Sequence, residues 1–325
     1  MNEDPTRFYD PSGSEKLSFC DGFLVSSTEA RYPIVNGIPR FVSSDNYSKD
    51  FGDQWKKFPK TQLDSYVGIP ISEDRLNRCL NGELSLVKGM RVLEVGSGAG
   101  RFTEVLLKHG AIVDSLDYSN AVEVNAINNG SSDRLTLVQG DIRSMPFLKE
   151  GYDYVVCLGV LQHTPDPEEG IEKLFEMLRP GGAMAIDHYP LNWRIIWPTP
   201  IGESISLYRL ITLALPQRLR FRFIKAVVDF WFPVHWLSRR SLLAHRILRR
   251  VSPVLFYFHD YKLRDRQMHY EWALLDTHDA TTDFYKHRRT ISQIKKSLQQ
   301  LDAINIDVRL GGNGIEAFCR KKLTY

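Results

Sequence analysis

The stretch Met90–Thr103, MRVLEVGSGAGRFT, decides how this chain is read. Arg91 to Val95 is a short apolar run of the kind that forms a strand buried on both faces of a parallel sheet. Gly96, Gly98 and Gly100 follow at alternate positions, and Arg101 to His109 reads as a helix. A strand, a glycine turn and a helix in succession bring backbone close to a ligand. Glycine supplies the turn angles and has no Cβ to hold the ligand off. The dinucleotide fingerprint G-x-G-x-x-G needs its third glycine three places after the second. Arg101 stands at that place here, and the third glycine comes one position early, at Gly100. An acid, Glu94, sits two residues before the first glycine, where it suits a cationic ligand group and repels a pyrophosphate.

The 325 residues suffice for one large decorated domain or two small ones. Hydrophobic residues at 43% and charged residues at 25% are ordinary for a soluble globular chain. The net charge of +3 hides an uneven distribution. Pro190 to Tyr270 holds 14 Lys and Arg against 4 Asp and Glu, so an acidic body carries a basic insert. Cys20, Cys79, Cys157 and Cys319 are widely spaced and form no C-x-x-C pair. That argues against a zinc site or a disulfide framework, and fits a reducing cytoplasm. The N-terminal MNEDPTRFYDPSGSEK lacks the basic and apolar regions of a signal peptide. No run of eighteen uninterrupted apolar residues occurs, so no membrane span is expected.

Along the chain, Leu17 to Val42 reads as short strands with a turn at Asn36-Gly37. Tyr47, Phe51, Trp55 and Phe58 recur at near-helical spacing, as a buried aromatic stripe or as a cap over the ligand site. A helix from Glu73 to Leu86 leads into the opening strand. Ala111 to Leu116 is a second buried strand ending at Asp117, about twenty residues past the glycines, where nucleotide folds present a carboxylate to ribose hydroxyls. The alternative is an ordinary helix N-cap, a role for which Ser119 competes. Leu135 to Gln139, Tyr152 to Leu158 and Ala183 to Asp187 are further strands. Glu168 to Leu178 is a helix stopped by Arg179-Pro180-Gly181-Gly182. The basic insert holds Trp193, Trp197, Trp231 and Trp236, and its helices are expected to break at Pro216, Pro233 and Pro253. Thr290 to Leu301 is a last helix, followed by two strands around Gly311-Gly312-Asn313-Gly314.

Five landmarks thus occur in order: VLEVGSGAG, Asp117, GDI, VLQHTPDP and LRPGG. The E-x-G-x-G-x-G run resembles motif I of the class I S-adenosylmethionine-dependent methyltransferases, and the resemblance covers Met90 to Asp187 plus Thr290 to Lys322. It implies an α/β fold: a Rossmann-like seven-stranded sheet closed by an antiparallel hairpin, here with a small N-terminal β extension and a helical insertion. The expected division is 1–45 for the extension, 46–189 for the first part of the core with its cap helices, 190–270 for the insertion and 271–325 for the end of the core. YPIVNGIPRFV resembles the end of small zinc-ribbon-like modules, but with Cys20 alone it is read as metal-free. EWALLDTHDATTDFYKHRRT resembles a subgroup with inserted helices, found near glycan and small-molecule biosynthesis genes.

The resemblance implies S-adenosyl-L-methionine as donor and S-adenosyl-L-homocysteine as product. Its binding set would be Glu94, Gly96, Ser97, Gly98, Gly100, Asp117, Tyr118, Asp141, Ile142, Leu158, Gly159 and His163. In VQGDIRSMPF, Asp141 would accept from the adenine amino group and Ile142 would be its apolar neighbour; a turn-forming Asp is the other reading. Methyl transfer is an in-line displacement that needs orientation first and a base only for a nucleophile that keeps its proton. His163 is the first candidate base, or else a residue that orders its loop. His188 and Tyr189 are second candidates. Asp279, with Asp276 and His278, binds a hydroxylated acceptor or caps a helix. Trp55, Gln162 and Tyr285 complete the acceptor candidates, and no metal is expected.

The basic aromatic insert has three readings: a buried lid with homodimer packing, a peripheral contact with anionic membrane, and a groove for single-stranded RNA. No RNA-binding module is recognisable. The resulting functions are methylation of an oxygen, less readily a nitrogen, of a small metabolite or a glycan or lipid-linked precursor; an RNA methyltransferase; and a non-catalytic donor-binding regulatory subunit. A cytoplasmic enzyme, peripheral at the membrane in the second reading of the insert, is the expectation.

Overall fold

Central strands that are apolar on both faces are satisfied between two layers of helices, and the chain forms that arrangement. The computed structural model describes residues 7–12, 15–43, 49–191 and 204–323. Its strands are β1 (Ser18–Cys20), β2 (Phe23–Val25), β3 (Arg31–Val35), β4 (Ile38–Pro39), β5 (Arg91–Val95), β6 (Ile112–Asp117), β7 (Leu135–Gln139), β8 (Tyr152–Cys157), β9 (Leu178–His188), β10 (Ile304–Gly311) and β11 (Gly314–Arg320). Its α-helices are α1 (Lys49–Lys57), α2 (Asp64–Val67), α3 (Ile71–Cys79), α4 (Arg101–Lys108), α5 (Val122–Asn129), α6 (Pro167–Glu176), α7 (Ile205–Ala214), α8 (Gln217–Leu237), α9 (Leu242–Val251), α10 (Arg266–Thr282) and α11 (Ile291–Gln300). Two compact units result: Met1–Trp55 with Ser72–Pro190 and Tyr285–Tyr325, and Lys56–Ile71 with Leu191–Phe284.

In the first unit the large sheet has the order β10-β11-β9-β8-β5-β6-β7. β5 pairs in parallel with β6 and β8, and β9 joins β8 in parallel. β11 is antiparallel to both β9 and β10. The expected seven-stranded sheet with its terminal hairpin is therefore present. Successive residues go to opposite faces: Leu93, Val95, Val155, Cys157 and Ile186 join one core cluster, and Val92, Val156, Ala183 and Ala185 the other. Strand order reverses between β5 and β8, and the carboxyl ends beside that switch point are where open α/β sheets bind ligands.

The N-terminal extension is a four-stranded antiparallel sheet, with Val35 opposite Ile38 across the two-residue Asn36-Gly37 turn. Both turn residues have positive φ, as a hairpin of this length requires. The segment then docks on the edge of the large sheet: Phe41 N–H donates to the Gln139 carbonyl at 2.8 Å. Arg40 donates to Gln139 Oε1 and pairs with Glu123, both at 3.0 Å. An edge strand that would otherwise expose unpaired backbone is covered in this way.

Several boundaries differ from the sequence reading. The helix expected over Glu73 to Leu86 is broken by Asn81 and Gly82, both at positive φ, into α3 and a 3₁₀ turn at Glu83–Val87. Arg179-Pro180-Gly181-Gly182 does not stop a helix; α6 ends at Glu176 and the four residues lie within β9, where the register against β8 shifts. Pro233 does not break a helix either, since α8 runs through it. Losing one helical bond and meeting a ring clash costs about 3 kcal/mol, which burial of the neighbouring Phe232 and His235 offsets. The expected boundary at 270 falls inside α10. Tyr47, Trp193 and Trp197 lie outside the described residues.

The second unit packs α10 against α7 and α8. Arg209 on α7 donates to the Asp283 side chain at 2.8 Å and to its carbonyl at 2.7 Å. Phe232 meets Trp236, Phe256 and Tyr270 ring to ring, which builds an aromatic core for this unit. Among the described residues no helix is long and apolar enough to cross a membrane.

Candidate active site

The site begins where β5 ends. Glu94, only 2% exposed, accepts from the Thr103 hydroxyl in the first turn of α4. Its other oxygen, Oε1, is buried with no hydrogen-bond partner among the described residues, and so is Ser97 Oγ. Burial pushes the Glu94 carboxyl up to about 7, against the lowering effect of the nearby Thr103 and Ser115 hydroxyls. This is a buried acid held short of full charge, with one oxygen unsatisfied.

The three glycines do three different jobs. A Cβ at Gly96 would lie 2.1 Å from Val160, so that position admits the loop after β8. At Gly98, with φ +54, a Cβ would lie 3.0 Å from the Trp55 indole, which covers the turn. At Gly100, with φ +89, a Cβ would meet Asn125 Oδ1 at 2.2 Å and Asn129 Nδ2 at 2.4 Å. Asn129 Nδ2 donates to the Gly100 carbonyl at 3.0 Å and to Asn125 Oδ1 at 2.9 Å. Asn125 donates in turn to Thr103 Oγ1 at 2.9 Å, which returns the network to Glu94. Neither asparagine was legible as part of the turn, because both sit on α5, more than twenty residues downstream.

At the end of β6, Asp117 Oδ2 accepts from Gly98 N–H at 2.7 Å. Oδ1 accepts from the Ser119 N–H at 2.8 Å and hydroxyl at 2.7 Å. Ser119 Oγ then accepts from Ala121 N–H at 3.1 Å in the turn before α5, whose N-cap is Ala121 with no side-chain cap, so neither Asp117 nor Ser119 caps that helix. A carboxylate oxygen has two lone pairs, so Oδ2 keeps one for a ligand hydroxyl. Burial raises the Asp117 carboxyl despite these bonds. The Tyr118 carbonyl accepts from Gln139 Nε2 at 3.1 Å, and burial raises the Tyr118 phenol. Beyond β7, Arg143 grips Asp141 through Nε and Nη2, at 3.1 and 2.7 Å, while Ile142 is buried in the core.

β8 and β9 deliver the other half. Leu158 is buried, and Gly159 N–H donates to Asp187 Oδ1 at 2.6 Å. Asp187 Oδ2 pairs with Arg75 on α3. Asn313, whose amide orientation is assigned from its bonds, accepts from Arg75 Nη2 at 2.7 Å and Nη1 at 3.1 Å. Desolvation lowers the Arg75 pKa, but Asp187 outweighs it and the net shift is upward. Arg75, Asp187 and Asn313 were not among the expected site residues. They come from α3, β9 and the terminal hairpin, and no local pattern links them.

His163, in the 3₁₀ turn Leu161–His163, bonds through Nδ1 to the Tyr285 carbonyl at 3.2 Å and meets the Tyr189 ring edge-on at 5.4 Å. A carbonyl only accepts, so Nδ1 carries the proton and Nε2 is the basic nitrogen. His188 is 1% exposed and donates from Nδ1 to the Tyr189 carbonyl at 3.3 Å. Its Nε2 has no partner among the described residues, and burial lowers its pKa to about 4. Gln162 Oε1 is likewise buried and unsatisfied, and the Gln162 carbonyl accepts from His287 N–H at 2.9 Å. Gln162, His163, His188, Tyr189 and Tyr285 are thus brought together at the carboxyl end of the sheet.

Asp276, His278 and Asp279 are placed differently. They lie within α10, in the second unit, and cap neither α10 nor α11. Asp265 caps α10, and Thr290 with Gln293 forms a capping box on α11. Asp276 accepts from Trp272 Nε1, one turn before it, and from Gln62 Nε2, both at 3.1 Å. Side-chain bonding of this kind satisfies an Asp inside a helix. His278 is buried with its ring 5.6 Å from Phe221.

A family model described as a methyltransferase domain matches residues 93–186. The ubiquinone biosynthesis O-methyltransferase of Coxiella burnetii (strain Dugway 5J108-111) is 31% identical over 120 residues, covering 36% of this chain and 51% of that protein. The demethylmenaquinone methyltransferase of Clavibacter sepedonicus is 31% identical over 172 residues, covering 50% of this chain and 68% of that protein. The chain thus spans about half the length of the ubiquinone biosynthesis O-methyltransferases it matches. A crystal structure of a SAM-dependent methyltransferase from Methanosarcina mazei aligns with TM-score 0.41 at 17% identity, covering 73% of this chain and 94% of that one.

Proposed function

Since the chain belongs to the class I S-adenosylmethionine-dependent methyltransferases, we propose that it moves a methyl group from S-adenosyl-L-methionine to an oxygen of a small-molecule acceptor. The observation that carries this reading is the pair of unsatisfied buried oxygens in the glycine turn, Glu94 Oε1 and Ser97 Oγ. A carboxyl that burial has raised to about 7 gains its full charge when a cation approaches. A ligand with a positively charged amino-acid end supplies that cation, and a dinucleotide pyrophosphate does the reverse. The residues present fit the donor. Glu94 and Ser97 would hold its charged end, the spare lone pair on Asp117 a ribose hydroxyl, and the Asp141–Ile142 corner the base. Trp55 would close the turn from above.

When bound, the donor supplies an electrophilic methyl carbon on a sulfonium sulfur. The chain's own task is to hold the acceptor oxygen in line and manage its proton. His163 would take that proton at Nε2, its tautomer fixed by the Tyr285 carbonyl. His188, kept neutral by burial, would accept a hydrogen bond from the acceptor without competing for the proton, and Gln162 Oε1 would accept another. Two buried acceptor atoms without partners among the described residues, His188 Nε2 and Gln162 Oε1, favour a ligand with hydroxyl donors. The oxygen-directed names of the ubiquinone biosynthesis relatives support the same choice of atom.

Calorimetry and isotope transfer test this reading. S-adenosyl-L-homocysteine should bind at one site per chain and NAD should not; the opposite result would overturn the donor assignment. A panel of hydroxylated and amine acceptors incubated with methyl-labelled donor should carry label on oxygen. Label found solely on nitrogen or carbon would overturn the choice of atom.

A further inference from the structure

Helix α8 is apolar on two opposite sides. Ile224, Val228, Phe232 and His235 face inward and are buried. Phe230, Val234 and Leu237 recur at helical spacing on the other side, and Phe230 and Leu237 are 69% and 83% exposed. Helix α9 continues the pattern. Leu248 is its buried residue, while Leu242, Leu243, Ile247 and Val251 are exposed, Leu243 at 67%. Soluble surfaces carry single exposed leucines without comment, but seven large apolar side chains exposed on two consecutive helices require an explanation.

The charges carried by the same stretch of chain say what covers these helices. Between Asp229 and Asp260 the chain has five arginines, Arg239, Arg240, Arg246, Arg249 and Arg250, and no acid. Arg240, Arg246, Arg249 and Arg250 are exposed, and the last three alternate with the apolar residues of α9. Arg239 lies over the Trp236 ring at 4.4 Å, and this aromatic beside an arginine suits a wet boundary. Arginine can keep its head in water while its stem runs along an apolar layer. A second copy docking by the same face would bring two sets of five arginines together, with Asp260 and Asp229, the latter already bonded to Lys225 and Tyr270, as the flanking acids. Single-stranded RNA would use the arginines but leave Leu237, Leu242, Leu243 and Ile247 without a role. An anionic lipid surface accounts for both features, since headgroup phosphates take the guanidinium groups and the acyl boundary takes the leucines.

We propose that the outer faces of α8 and α9 form a peripheral docking surface for membranes containing anionic phospholipid. The contact is interfacial, because no described helix is long and apolar enough to span a bilayer. It is independent of the donor site, so methyl transfer and membrane binding can fail separately.

The test is co-sedimentation of the full chain with vesicles of phosphatidylcholine alone or mixed with phosphatidylglycerol, at low and physiological salt. Binding should require phosphatidylglycerol and weaken with salt. Leu243→Glu with Ile247→Glu should lower partitioning about tenfold or more, since each removes apolar burial and adds a repelled charge. Arg249→Glu with Arg250→Glu should do the same. Both variants alter exposed residues and should keep binding of S-adenosyl-L-homocysteine, which shows that they fold. Failure to bind phosphatidylglycerol vesicles at low salt would overturn the proposal. So would unchanged partitioning of the Leu243/Ile247 variant, or a dimer of the unaltered chain that this variant abolishes. Displacement of the chain from vesicles by single-stranded RNA, with the leucine variant binding that RNA normally and vesicles no worse, would transfer the surface to nucleic acid.

Discussion

The glycine turn gives a prediction in which two substitutions of the same kind have opposite consequences. Gly98→Ala and Gly100→Ala each place an L side chain at positive φ, which costs about 1–2 kcal/mol of backbone strain. They differ in what the new methyl meets. At Gly98 it meets the Trp55 ring at 3.0 Å, and a ring can retreat by a few tenths of an ångström. At Gly100 it collides with Asn125 Oδ1 and Asn129 Nδ2, at 2.2 and 2.4 Å, inside a buried network. Displacing those amides breaks the bonds of Asn129 to the Gly100 carbonyl and to Asn125, and it loosens Thr103 under Glu94. Leaving buried polar groups unpaired adds about 1–3 kcal/mol for each group. Gly100→Ala should therefore destabilise the first unit by about 3–5 kcal/mol, and Gly98→Ala by about 1–2 kcal/mol.

Donor affinity should show the reverse order. Gly98→Ala moves the indole that covers the turn and fills the space above it, so the dissociation constant for S-adenosyl-L-homocysteine should rise by about tenfold or more, or at least 1.4 kcal/mol. Urea denaturation followed by far-ultraviolet circular dichroism gives the first quantity, and titration calorimetry at a temperature where both variants are folded gives the second. The assignment of separate roles fails if Gly100→Ala is as stable as the unaltered chain, or if both variants lose affinity and stability together.

Two further outcomes concern histidines. His163→Ala should lower turnover on a hydroxyl acceptor by about a hundredfold with donor affinity nearly unchanged, and the rate of the unaltered chain should rise with pH where that of the variant does not; His163→Asn retaining most of the rate and the same pH profile would leave His163 as a loop-ordering residue. His188 and His235 both have pKa values lowered from 6.5 to about 4 by burial. Above pH 6.5 they are neutral in the folded and unfolded chain and cost nothing; as pH falls from 6.5 to about 4 only the unfolded chain takes the proton. Stability should then fall by about 1.4 kcal/mol per pH unit for each histidine and the slope should level off below about pH 4. Urea midpoints at pH 7 and pH 5 check this for the unaltered chain against His188→Gln, and equal slopes for the two would remove His188 from the account.

The sheet was legible because its physics is local. Strands buried on both faces must be apolar runs, and RVLEV and YDYVVC stand out without reference to anything else. The Asn36-Gly37 turn was legible for the same reason, since it is fixed by the geometry of two residues. The candidate site was legible in part. Motif order indicated Glu94, Asp117, Asp141 and His163, all of which stand at the carboxyl ends of strands or in the loops that follow them. It did not indicate what holds them. Arg75 and Asp187 are 112 positions apart, and Arg40 reaches Gln139 across 99. Nothing near any of these residues marks the partner. The Arg179–Gly182 error had a different origin: the same turn-forming composition serves a helix stop or a bulged entry to a strand, and only the pairing of β9 with β8 decides between them.

The second unit shows how composition can conceal direction. Its tryptophans, phenylalanines and leucines read as core, and many are: Phe232, Phe256, Met268 and Trp272 are buried. Yet an apolar residue every three or four positions on both sides of α8 satisfies the helical pattern twice over, and periodicity does not say which side is inside. Burial settles it, since Val228 and Phe232 are inward while Phe230 and Val234, their near neighbours in sequence, are outward. A helix that needed solubility alone would carry charged and polar residues on that outer side, as α11 does with Lys295, Lys296, Gln299 and Gln300. Keeping Phe230, Val234 and Leu237 there, and adding arginine without acid in the sequence of α9, combines apolar area with a local excess of basic residues. Neither property helps the unit fold. Together they match the two parts of a phospholipid, and that is the physical reason to look for the partner of this face at a membrane.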